Sequence, residues 1–91
     1  MADPSLLLRV KQMLVRQLRL PKRPEELSDE ALLFGGDLEL DSIDVLEIVV
    51  GIEKEFGLRI GDRATGERVI RTPRSLADYV QTELKTRASA G

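Results

Sequence analysis

The chain has 91 residues, a formal net charge of −2, and neither cysteine nor histidine. That length suits one small domain near the lower limit for a self-sufficient core. The missing cysteines exclude disulfides and thiolate metal sites, and the missing histidines exclude a Ser-His-Asp mechanism. The small net charge hides a strong segregation: residues 1–23 carry +5, residues 24–56 carry −10 and residues 57–91 carry +3. A field concentrated mid-chain in this way steers partners of opposite sign.

The three aromatics, Phe34, Phe56 and Tyr79, are too few for a platform that stacks single-stranded nucleic acid. No apolar run approaches the roughly 20 residues needed to span a bilayer. The opening MADPSLLLRVK lacks the basic-then-apolar order of a secretory signal. A soluble, cytoplasmic monomer is the expectation.

In chain order, the first predicted element is a helix over about 4–19. Leu7, Val10, Leu14 and Leu18 recur at helical spacing, Asp3-Pro4 suits its start and Pro21 its end. Residues 20–41 form a long connection, with a single helical turn expected after Ser28; Leu32, Leu33 and Phe34 should pin it to the core. The second helix covers about 42–56. Its core face is Val45, Ile48, Val49, Ile52 and Phe56, and Gly57 stands where a helix end favours glycine. Residues 57–71 are irregular or hold a short helix. Thr72-Pro73 then opens a last helix to about residue 87, with Leu76, Val80 and Leu84 as its stripe and a frayed tail at 88–91. Three main helices plus a short fourth, without strand-like alternation, give an all-α small helical bundle, a single domain over 1–91.

The chemistry concentrates at DLELDSID, residues 37–44, where Asp37, Glu39, Asp41 and Asp44 surround Ser42. A serine at a helix start is ordinarily a cap. With Ser42 as N-cap, however, the third helical residue is Val45, which cannot complete a capping box. With Asp41 as N-cap that residue is Asp44, which can reach back to the cap's own N–H. The second register is better chemistry and leaves the Ser42 hydroxyl uncommitted. Ile43, Leu46 and Val50 lie beside Ser42, off the core stripe; they form either a partner-facing patch flanked by Asp44 and Glu47 or the edge of a wide core face. A serine nucleophile would need a base and an elbow motif that the sequence lacks. A calcium loop would need Gly at Ser42 and Glu at Ile48.

Together, Asp37 to Asp44 and the later run Glu53-Lys54-Glu55-Phe56-Gly57 resemble the acyl carrier proteins, in which an Asp-Ser-Leu-like tripeptide opens an amphipathic helix ending in an acidic group and Phe-Gly. The close match spans about 20 residues, and the helix placement fits an acyl-carrier-like bundle with a long loop between its first two helices. The resemblance implies that Ser42 carries 4′-phosphopantetheine, taken from coenzyme A by a separate Mg²⁺-dependent phosphopantetheinyl transferase. The arm's thiol would then hold acyl groups as thioesters for partner enzymes, leaving this chain a carrier and not an enzyme. It further implies that Asp41 caps the helix beside the serine. Ile43, Asp44, Leu46, Glu47, Val50 and Glu53 would meet acyl-loading and acyl-processing enzymes with basic docking surfaces. Phe34, Val45, Val49 and Ile52 would line an acyl cavity.

The chain departs from the family pattern in two places. Glu39 stands where glycine is usual, and the normally acidic approach to the last helix holds Arg59, Arg63, Arg68, Arg71 and Arg74. A specialised carrier is at least as good a reading as a general fatty-acid or polyketide one. Gly35-Gly36 lies several residues too early for the pattern of peptidyl carriers, which favours an acyl over an aminoacyl load. The rivals of other classes are a nucleic-acid-binding domain using Arg9, Lys11, Arg16, Arg19, Lys22 and Arg23, and an interfacial membrane helix. The acidic middle helix counts against the first, and the absence of Trp or Phe from the first helix counts against the second.

Overall fold

The structure, a computed structural model, describes residues 3–33, 41–60, 66 and 68–90, with Ser42 and residues 87–90 described for the backbone alone. Among the described residues three long helices form the bundle: α1 (Pro4–Leu18), α2 (Ser42–Phe56) and α3 (Pro73–Ala90). Among the described residues there is no strand.

Helix α1 starts where Asp3 accepts the Leu6 N–H at Oδ1, 2.8 Å, with Pro4 preset for the first helical position. It stops earlier than its proline requires. Arg19 adopts the left-handed conformation (φ 53°, ψ 47°) and donates its N–H to the Val15 carbonyl, two residues before Pro21. The buried face is Leu6, Val10, Met13 and Leu14, with Leu7 and Leu18 only partly covered. The expected stripe of Leu7, Val10, Leu14 and Leu18 is therefore rotated: the run of leucines at 6–8 fits more than one phase, and packing selects the one that also buries Met13.

The single helical turn lies at Pro24–Glu26, ahead of its expected place after Ser28. Glu26 fixes it by accepting the Arg23 N–H at Oε1, 2.7 Å. Ser28 instead makes a turn, its Oγ accepting from the Glu30 N–H at 3.3 Å and its carbonyl from the Ala31 N–H at 3.2 Å. Leu27, Ala31 and Leu33 anchor this connection in the core, while Leu32 is exposed. Phe34 lies outside the described residues.

Helix α2 buries Val45, Ile48, Ile52 and Phe56, with Val49 packed at the edge. Gly57 ends it at φ 68° and donates to the Glu53 carbonyl at 3.0 Å, a left-handed position where glycine carries no side-chain penalty. The irregular stretch beyond contributes Leu58, Ile60 and Ile70 to the core. Residues 66 and 68–69 are helical, and the Ile70 N–H reaches the Gly66 carbonyl at 2.9 Å.

Helix α3 is capped by Thr72, whose Oγ1 accepts the Ser75 N–H at 3.0 Å; Ser75 Oγ accepts the Thr72 N–H in return, also at 3.0 Å. It buries Leu76, Ala77 and Val80, with Leu84 partly covered, and continues to Ala90, past the expected end near residue 87. Helix α1 is the common neighbour, packed against α2, α3 and the Pro24–Glu26 turn. Each fully buried Leu or Ile contributes on the order of 1.5–3 kcal/mol, so this core outweighs any single surface ion pair.

Candidate functional site

Around Ser42 the local hydrogen bonds choose between the two helix registers. Asp41 is extended (φ −115°, ψ −173°), and its Oδ1 accepts the N–H groups of Ile43 at 3.0 Å and Asp44 at 3.2 Å. Asp44 returns the bond, its Oδ2 accepting the Asp41 N–H at 2.9 Å. This reciprocal box satisfies the first-turn donors with two carboxylates, which the positive end of the helix dipole also favours. Ser42 is the first residue of α2.

Beyond the box, α2 turns a second set of apolar residues to solvent. Ile43 is 68 % exposed, Leu46 56 % and Val50 39 %. The edge of a wide core face is therefore excluded for all three: they form an uncovered strip beginning one residue from Ser42. Asp44 is half-buried, and Glu47 and Glu53 are exposed on the same helix.

Of the four residues expected to line an acyl cavity, Val45 and Ile52 are fully packed core residues, and Val49 lies against the core at its edge. A Cβ at Gly66 would stand 3.6 Å from a Val49 methyl, so Gly66 lies against that side of α2. The fourth, Phe34, and the acids Asp37 and Glu39 fall outside the described residues.

On the opposite side α2 meets α1 through charge. Glu55 accepts from Arg16 Nη2 at 2.8 Å and from Arg9 Nη2 at 3.4 Å; these two hydrogen bonds hold its carboxyl below the usual range, Arg16 contributing most. Arg9 also lies over the Phe56 ring, 4.8 Å from its centroid. Lys11 pairs with Asp29 in the first connection, and Arg74 of α3 reaches both Asp29, at 3.2 Å, and Glu30. Three of the six cations of the basic first segment are thus engaged by carboxylates within the protein, which leaves a weaker field for nucleic acid than the sequence suggests. Neither Glu55's pairing nor Asp29's was expected from the sequence, because each joins residues far apart in the chain with no local motif between them.

Among the described residues no group of His, Cys, Asp and Glu is placed to hold a metal ion, and no helix is long and apolar enough to cross a membrane.

An all-α bundle whose second helix opens on a serine, next to a solvent-facing apolar strip, has the form of a small carrier-like module. Over residues 8–80 the sequence matches the family described as phosphopantetheine attachment site, and the chain belongs to that family. Its prosthetic group is 4′-phosphopantetheine.

Proposed function

We propose that this protein is an acyl carrier protein with its 4′-phosphopantetheine arm on Ser42. The observation that carries this reading is the Asp41–Asp44 box: the serine of the family-like Asp-Ser pair is the first residue of α2, and its neighbours Asp41 and Asp44 cap the first turn. Ser42 supplies the oxygen for a phosphodiester to the phosphorus of coenzyme A, and the bond from that phosphorus to the nucleotide part breaks. The serine's proton has to leave. Asp41 and Asp44 are engaged with each other's backbone and the chain has no histidine; in this reading the phosphopantetheinyl transferase supplies the base.

Once attached, the arm supplies a thiol that carries acyl groups as thioesters. The chain itself then catalyses nothing and serves as a substrate of acyl-loading and acyl-processing enzymes. Ile43, Leu46 and Val50 give those enzymes an apolar contact, with Asp44, Glu47 and Glu53 setting its electrostatics. The arginines at 59, 68, 71 and 74 and the early Gly35-Gly36 pair support a specialised acyl pathway over a general fatty-acid or aminoacyl one.

The test is intact mass spectrometry after incubation with coenzyme A, Mg²⁺ and a broad-specificity phosphopantetheinyl transferase. The parent gains one phosphopantetheine and Ser42→Ala gains none, while its helicity by circular dichroism stays unchanged because Asp41 keeps the cap. Loading of the Ser42→Ala variant would overturn the assignment.

A further inference from the structure

At the α2 rim, the charge is not of one sign. An open hollow between the end of α1 and the start of α2 is lined by Arg16, Gln17, Leu18, Arg19, Asp44 and Glu47. Arg16 is occupied with Glu55. Arg19 is exposed and, among the described residues, has no ion-pair partner. Its backbone is fixed on this rim, because the N–H groups of Arg19 and Leu20 both close on the Val15 carbonyl. At 1.5 Å of rise per residue, Glu47 lies only about 7.5 Å along the helix from Ser42. A protein that brings coenzyme A to the Ser42 oxygen works within a few ångströms of this hollow, whereas later enzymes can meet the arm's far end.

A uniformly basic partner would be drawn to Asp44 and Glu47 but would press like charge onto Arg19, which costs affinity as well as encounter rate. Resting on the assignment of Ser42, we propose that the phosphopantetheinyl transferase presents a mixed-charge face here: basic groups against Asp44 and Glu47, and a carboxylate against Arg19. The end of α1 is then part of the recognition surface together with α2.

The two kinds of face give opposite signs in one experiment. Loading by a broad-specificity transferase is followed at low and high salt for the parent, Arg19→Glu, the milder Arg19→Gln, Glu47→Lys and Lys85→Glu. The last makes the same charge change at the other end of the bundle, beside Asp3 and Ser5. The expected result is a loss of about 5–10-fold in kcat/KM for Arg19→Glu, mainly through KM, with a smaller loss for Arg19→Gln and a loss for Glu47→Lys. Lys85→Glu should stay within about twofold, and the differences should shrink at high salt. Loading by Arg19→Glu that equals or exceeds the parent's would overturn the proposal, since added acid helps a purely basic partner. A parent that is not loaded at all by an active transferase would remove the Ser42 reading itself, and this proposal with it.

Discussion

Asp41 does its work through geometry that only a short acid can supply: extended backbone, two accepted N–H groups, and one N–H given to Asp44. Replacing it with alanine should cost about 1 kcal/mol, read as a lower urea midpoint, while Asp41→Asn should keep most of that stability. The box was legible in the sequence because all its members lie within four residues. Glu55 and Asp29 were not, since their cations lie far from them in the chain. Asp29 nevertheless has a measurable signature. Its hydrogen bond from Lys11, more than the charge of Lys11 or Arg74, lowers its pKa from the ordinary 3.8. The unfolded chain therefore binds more protons than the folded one between the two values. Stability from this pairing is complete above the unfolded value and is lost as pH falls through the folded one. Urea midpoints should drop below about pH 4, and the drop should be shallower in Asp29→Asn; an identical acid profile in that variant would show that the pairing contributes nothing.

At the level of elements, the three helices could be read from spacing and punctuation, but which face each one buries was settled by its neighbours. In α1 the leucines at 6–8 left the phase open, and burial of Met13 closed it. Helices α1 and α2 approach tightly at Gly51, where a Cβ would stand 2.7 Å from Met13 Sδ and 3.2 Å from Gln17 Cγ. On helix propensity alone, Gly51→Ala would gain about 1 kcal/mol. Met13 is fully buried, and displacing it costs about 1–3 kcal/mol. A net loss is therefore expected in denaturant titrations. Combining Gly51→Ala with Met13→Ala should cost less than the two single changes together, by about 1 kcal/mol; strict additivity would mean that the helices do not meet there as described. The turn at Pro24–Glu26 escaped prediction because Ser28-Asp29-Glu30 carries the stronger cap-like signal, yet those residues serve the turn and the ion pairs instead.

For the molecule as a whole, the segregation of charge along the chain becomes an arrangement of helices. The basic first segment lies against the acidic second one, with Glu55 and Asp29 as the points of contact. At the α2 rim, Asp44, Glu47 and Arg19 share one hollow. The fold class and the serine's place at a helix start follow from local pattern. The mixed sign of the rim does not, because it depends on how the end of α1 meets the start of α2.

The first connection has one more property. Its backbone is joined to residues near the start of α3 by two bonds, Leu33 N–H to the Arg71 carbonyl at 2.9 Å and Arg74 N–H to the Asp29 carbonyl at 3.0 Å. Contacts between segments so distant in sequence form only after the intervening chain has closed its loop. A polypeptide leaving the ribosome N-terminus first can wind α1 early, but the stretch directly after it lacks these two backbone partners until residues 71–74 have been made. The part of the bundle translated second is thus among the last to take its final shape.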